Sequence, residues 1–241
     1  MKLSWASTSR SHQGKVRKLN EDAVFMHPAG MLWAVADGMG GYEAGDTASA
    51  IVVEELAGIE SSDEIAELTR RCQQHLHLAN ARIQKYSMEK CSGRNVGSTV
   101  VCFLSTESGS SCVWAGDSRL YRLRGSELAQ LSTDHSEVAQ LVALGHLTEE
   151  EARVHPKANV ITRTIGVGGD QGTETISVDV QSADTLLLCS DGLYNELEDS
   201  SILECLLLGD IETAADELMS RCLLTPAKDN ISIVLLRSEI R

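Results

Sequence analysis

Nowhere in the 241 residues does an apolar run approach the roughly 18 residues of a membrane span. The opening "MKLSWASTSRSHQGKVR" also lacks the apolar core of a secretory signal, so a cytoplasmic protein with no membrane contact is expected. None of the seven cysteines, at 72, 91, 102, 112, 189, 205 and 222, forms a C-x-x-C pair. That spacing excludes a zinc ribbon, and the odd number excludes a complete disulfide framework; most lie in apolar runs, where a reduced thiol packs as a small hydrophobe. Lys and Arg total 21 against 35 Asp and Glu, a net charge of -14. That balance argues against a nucleic-acid surface, since phosphate backbones are held by clustered Lys and Arg. Only three prolines occur, and no internal repeat, low-complexity tract or Pro-rich linker divides the chain. What remains is a chain 42% apolar, enough for one domain over residues 1–241.

Nine segments read as strands: residues 3–9, 22–27, 31–36, 98–105, 111–116, 119–123, 174–180, 184–190 and 230–237. Turn residues between close neighbours argue for antiparallel pairing. Helical periodicity is clearest over 63–86, where Ile65, Leu68, Cys72, Leu76, Ala79, Ile83 and Tyr86 step by threes and fours, with Ser61 and Glu64 placed as a capping box. Ala44, Ala48, Ile51, Val52 and Leu56 form a second stripe, and Ile211, Ala214, Ala215, Leu218 and Cys222 a third. Thr148 and Glu151 are spaced as a capping box on a short helix that His155-Pro156 ends. The order is not a βαβ alternation, so sheet packed on sheet with helices outside is expected, and residues 144–173 form a long excursion of the kind found near sites.

Three stretches share one pattern: "LWAVADG", "CVWAGDS" and "LLLCSDG" each run as an apolar strand into small residues and then an aspartate, Asp37, Asp117 or Asp191. A single Asp-Gly is ordinary turn chemistry; three such endings are a pattern. "NEDA", with Glu21 and Asp22, and "AKDNIS", with Asp229, add acids at two more strand starts. If these ends converge, repulsion among the carboxylates requires protons or cations to neutralise them. Oxygen-only ligands without a histidine or cysteine cluster suit hard ions such as Mg²⁺ or Mn²⁺.

The ordered segments "VRKLNEDA", "VADGMGG", "GSTVV", "AGDSRLYRL", "LSTDHS", "NVITRTIG", "LLLCSDGLYNEL" and "KDNISIVLL" resemble the bacterial metal-dependent protein serine/threonine phosphatases of the type 2C family, from about residue 5 to 237. The resemblance implies an α+β fold: a four-layer αββα sandwich of two antiparallel sheets flanked by helices, with a flap near 144–165. It also implies two Mn²⁺ or Mg²⁺ ions, with a third possible, and hydrolysis of phosphoserine and phosphothreonine by a hydroxide that bridges two metals. By the same resemblance Asp37 bridges the metals, the Gly38 carbonyl is a further ligand, and Asp191 and Asp229 hold the second ion. Asp22, beside Glu21, holds metal or its waters, and Asp117 belongs to the third position, which Asp191 shares. Arg17, five residues before Asp22, matches the phosphate-binding arginine; outside the motif it would read as part of a solvated basic patch with Lys15 and Lys18. A guanidinium holds two phosphate oxygens in a fork that lysine does not imitate.

The family's histidine near the "DGMGG" segment is replaced here by Met39 and Tyr42 at the two usual positions. A tyrosine with a reference pKa near ~10 is a poor acid unless perturbed, so the general acid stays open. His75 and His77 point to different helix faces, His135 and His155 suit turn or capping roles, and Arg119 suits a structural ion pair. The expected partners are phosphorylated proteins and a cognate serine/threonine kinase, for a monomeric, free-standing enzyme. The compact chain and its "MKLSW" start also resemble the phosphatases tied to regulation of type VI secretion. The contrasting reading is a pseudophosphatase that binds phosphoproteins without turnover; a two-metal nuclease or phosphodiesterase is disfavoured by the acidic composition.

Overall fold

The computed structural model describes residues 3–40, 44–168 and 172–240. Eleven strands are named among them. They run β1 Leu3–His12, β2 Asp22–Met26, β3 Leu32–Met39, β4 Gly97–Ser98, β5 Val100–Thr106 and β6 Gly109–Ala115, followed by β7 Arg119–Arg124, β8 Glu127–Gln130, β9 Glu174–Ser177, β10 Thr185–Cys189 and β11 Ile231–Ile240. One sheet has the order β1-β11-β10-β7-β8 and the other β2-β3-β5-β6-β9, with β4 paired to β3. Every pairing is antiparallel.

Alternation along the strands explains the layering. In β3, Trp33 and Val35 point between the sheets while Leu32, Ala34 and Ala36 point outward, where they meet α1 Gly45–Ala57 and α2 Ile65–Lys90. In β10, Leu186 and Leu188 face inward while Leu187 and Cys189 face α5 Asp191–Tyr194, α6 Asp199–Leu206 and α7 Ile211–Leu224. Strands buried on both faces read as continuous apolar runs, as "LLLC" does. The result is the four-layer αββα sandwich expected from the sequence.

The aromatic residues, only 4% of the chain, are concentrated where they count. Trp33 stacks on Phe103 at 5.9 Å between ring centroids, and Trp5 meets both edge-on at 5.8 and 5.1 Å. The Trp5 indole donates to the Ser105 hydroxyl at 3.0 Å.

Local differences from expectation have identifiable causes. Helix α2 starts at Ile65 with Glu64 as its cap residue and no side-chain capping bond; the Ser62 hydroxyl, not Ser61, accepts from the Glu64 amide at 3.2 Å. Helix α4, Glu149–Arg153, does carry the Thr148 and Glu151 capping box. The excursion beside the sheet begins earlier than residue 144, because α3, Glu137–Ala143, is started by the Ser136 hydroxyl accepting from the Ala139 amide at 3.1 Å and anchored by buried Val138. Bridges from Ser136 to Ile161 and from Ser98 to Ile165 return it to the sandwich. No helix among the described residues is long and apolar enough to cross a membrane.

Candidate active site

The strand-terminal acids gather at one end of the sandwich. Asp22 opens β2 directly opposite Asp37 near the end of β3. On the other sheet β10 pairs Cys189 with Arg119, so the chain leaves β10 toward Asp191 beside the place where it enters β7 from Asp117. Asp229 precedes β11, the neighbour of β10.

Hydroxyl groups stitch these ends together. The Ser190 hydroxyl donates to Asp22 Oδ2 at 2.8 Å and accepts from the Ser232 amide at 3.0 Å, tying the two sheets. The Asp37 amide donates to Thr99 Oγ1 at 3.0 Å, and that oxygen lies 2.7 Å from the Ser118 hydroxyl, which links the Asp37 strand to the Asp117 loop. Buried Asn230 accepts from the Glu21 amide at 2.8 Å and donates to the Gln13 and Leu19 carbonyls, both at 2.9 Å, fixing the segment that carries Arg17.

The chain after two of the acids must be glycine. A Cβ on Gly38 would overlap the Gly45 carbonyl at the start of α1, and one on Gly192 would overlap the Asn230 carbonyl. The Gly38 carbonyl itself lies against Gly45. Close backbone approach, not turn formation alone, explains the Asp-Gly pairs.

Asp117 is buried, whereas Asp22, Asp37 and Asp191 retain a partly open edge toward the cleft. Dense protein behind them still strips away much of their hydration, which disfavours the charged form. Burial is the main force pushing Asp22 up to about 7; the Ser190 and Ser232 hydroxyls oppose it, and repulsion from Asp191 and Asp229 adds to it. Asp37 is raised well above the usual range by burial and then by Asp22, Asp191, Asp117 and Asp229. Burial followed by Asp191 and Asp134 brings Asp117 to about 8, and burial with Asp229 brings Asp191 to about 6 against the pull of Arg17 and Arg119.

Two oxygens, Asp22 Oδ1 and Asp191 Oδ1, are buried without a hydrogen-bond partner. Mutually repelling carboxylates with unsatisfied oxygens are what a divalent cation corrects, so the donor set fits a hard metal ion. No group of three or more Asp, Glu, His or Cys side chains among the described residues closes into a ready-made ligand cage.

Arg17 stands at the rim with its Nη2 donating to Asp229 Oδ2 at 2.7 Å and half its side chain exposed (50%). Glu21, beside Asp22, has its Oε1 accepting from the Gly45 amide at 3.2 Å at the start of α1, and its carbonyl accepting from the Gly38 amide at 3.0 Å. Met39 pairs with Gly97 across β3 and β4, which places a thioether where the histidine was missed. Tyr42 lies outside the described residues.

Arg119 makes the structural ion pair expected of it: its Nη2 is 2.7 Å from Asp134 Oδ2, and its Nη1 donates to the Tyr121 hydroxyl at 2.8 Å. His155 accepts from the Lys157 amide at 3.2 Å, as a turn residue does. His135 is buried, stacked on Trp114, and accepts from the Gly116 amide at 3.0 Å, so it braces the loop that carries Asp117. Thr99, Ser190, Tyr194 and Asn230 went unrecognised in the sequence, although each lies inside a quoted motif; only their neighbours' acids marked the place.

The comparisons agree with this geometry. The family model "Protein phosphatase 2C" matches residues 8–228. The serine/threonine phosphatase stp of Listeria monocytogenes is 33% identical over 242 residues, covering 96% of this chain and 95% of that protein. Among solved structures, PppA, described as a key regulatory component of T6SS in Pseudomonas aeruginosa, superposes with a TM-score of 0.89 at 37% identity and covers 97% of each chain. The catalytic domain of the serine/threonine protein phosphatase PstP, solved in complex with two manganese ions, gives 0.88 at 30% identity over 99% of this chain and 100% of that one. With a family model matching residues 8–228, a relative 33% identical over nearly the whole of both chains and a shared layer architecture, the chain belongs to the protein phosphatase 2C family.

Proposed function

We propose that residues 1–241 form one catalytic unit, a metal-dependent phosphatase that removes phosphate from serine and threonine in phosphorylated proteins. The observation that carries this reading is the meeting of Asp22, Asp37, Asp117, Asp191 and Asp229 at one end of the sandwich, with buried carboxylate oxygens left unpaired. Asp37 is central, because it feels Asp22, Asp191, Asp117 and Asp229 together and so is the candidate to bridge two ions. With metal bound, the Gly38 carbonyl would add a neutral donor, Asp191 and Asp229 would serve a second ion, Asp22 would hold the first or its waters, and Asp117 with Asp191 would offer a third position.

Bound Mn²⁺ or Mg²⁺ supplies an activated water near neutral pH and neutralises charge on the phosphoryl oxygens. The chain's own part is to place the phosphate and hold these carboxylates fixed; a bound cation would favour their ionised forms against the burial and repulsion that raise their pKa values. Arg17 has one edge held by Asp229 and the rest open to solvent, so it is set to receive a phosphate dianion by charge-assisted hydrogen bonds. Those bonds strengthen as charge spreads over the equatorial oxygens in the transition state. A thioether has no acidic proton, so Met39 does not take the place of the missing histidine as an acid.

The deciding experiment is phosphate release from a phosphothreonine peptide with Mn²⁺, with Mg²⁺ and with excess EDTA. Metal-dependent turnover abolished by the chelator is expected; no turnover from folded protein with either ion would sink the reading. A serine/threonine kinase that phosphorylates the same substrates is the expected counterpart, and the enzyme acts as a cytoplasmic monomer. The similarity to PppA supports a place in regulating type VI secretion.

A further inference from the structure

We infer that the Tyr194 hydroxyl is a latch that holds the Asp117 loop against the Asp191 turn and thereby sets the geometry of the two acids assigned to the third metal position. The inference rests on the proposed roles of Asp117 and Asp191, and its own content concerns a residue to which those roles assign nothing. Tyr194 closes α5, the short helix that Asp191 opens, so the two residues lie on adjacent turns of one rigid element. Its hydroxyl donates to the Asp117 carbonyl at 3.0 Å. Among the described residues this is the side-chain hydrogen bond that joins the two acid-bearing segments, whereas the opposite side of the loop is held by His135 at the Gly116 amide and by Thr99 at Ser118. Asp117 is thus braced from the flap side by His135, from the other sheet by Thr99, and from the Asp191 side by Tyr194.

The tyrosine ring is fixed in its turn. The Arg119 guanidinium carbon lies 3.5 Å from the ring centroid, and Asp134 and Tyr121 fix the guanidinium from its other sides. The ring also packs against the core beneath α5. Tyr194 is accordingly a positioning residue, acting on metal and substrate through Asp117. Groups of this outer kind typically change metal affinity or activity by about tenfold to a hundredfold when removed.

Tyr194→Phe tests the latch, since it deletes the hydroxyl and keeps the ring beneath Arg119. In metal-free protein, amide hydrogen exchange over residues 116–119 should speed up by roughly tenfold while exchange elsewhere and the melting temperature stay close to wild type. In a calorimetric Mn²⁺ titration, the binding phase that Asp117→Asn removes should weaken by about tenfold in Tyr194→Phe. The kcat should fall at limiting Mn²⁺, and the KM for a phosphopeptide should not move. Unchanged exchange over 116–119 overturns the latch. Faster exchange throughout the protein with a lowered melting temperature also overturns it, by showing that the ring's packing is all that matters. A wild-type titration with no phase that Asp117→Asn removes would overturn the third-position reading itself, and the metal-free exchange result would still decide the latch separately.

Discussion

The two ends of the sandwich are built on opposite terms, and β3 runs from one to the other. At one end Trp33, Phe103 and Trp5 interlock in apolar contact, with the Trp5 indole donating to Ser105; at the other, Asp37 meets like charges that Arg17, paired with Asp229, offsets only in part. The first end is complementary to itself. The second, on the proposed reading, is complementary to a cation and a phosphate. A protein of this size holds its fold with a small net free energy, so the repulsion at the acid end is tolerated because packing elsewhere exceeds it.

The sharpest way to separate the two ends is to remove one group from each. Asp37→Asn should reduce metal-dependent turnover by roughly a thousandfold or more, because it withdraws several kcal/mol of charge stabilisation. The metal-free variant should melt at the same temperature as wild type or higher, since it relieves repulsion. Retained turnover in a steady-state assay would remove Asp37 from the metal site, and a lowered melting temperature would show the acid end to be more stabilising than described. Trp33→Ala should do the reverse, costing about 3–5 kcal/mol of stability in denaturant titration while leaving turnover per folded molecule unchanged. A proportionate loss of both would mean that the ends are coupled.

Arg17→Ala sharpens the comparison from the substrate side. Loss of charged hydrogen bonds worth about 1.5–3 kcal/mol corresponds to a fall in kcat/KM of roughly tenfold to a hundredfold, with little change in stability. Kinetics indistinguishable from wild type would return Arg17 to the surface. The smallest expected effect is in pH dependence. In metal-free protein Asp22 sits at about 7, Asp117 at about 8 and Asp191 at about 6, against about 3.9 for an unfolded aspartate. The folded state then binds more protons than the unfolded one, so stability is fully present below that unfolded value and is lost as pH rises through 6 to 8. Calorimetry should show the melting temperature of the metal-free protein falling by several degrees between pH 5 and 8, and saturating Mn²⁺ should abolish the fall; a rise with pH instead would contradict the electrostatics described.

Much of this molecule is legible from order and periodicity. Strand β3 announces itself through "LWAVA", and α2 through the steps from Leu68 to Ile83, because each buries a continuous face against one partner. The acids are legible because three strands end the same way. Short or polar pieces are not: β8 is "ELAQ" on a sheet edge, and α3 is too brief to show a period. The positioning groups escape for another reason. Thr99 acts on Asp37 and Asn230 on Glu21, partners 62 and 209 residues away in sequence, so their roles exist only after the fold has brought them together.

Strand β11 lies between β1 and β10, with Leu3 opposite Ile240 and His12 opposite Ile231. The earliest strand therefore has no sheet to join until the latest has emerged from the ribosome, and loop-closure entropy across the intervening chain must be met first. Asp229 arrives with that same strand, so a nascent chain can hold Asp22 and Asp37 in a hairpin yet lacks the completed carboxylate set. Synthesis itself thus keeps the phosphatase silent until its last strand docks.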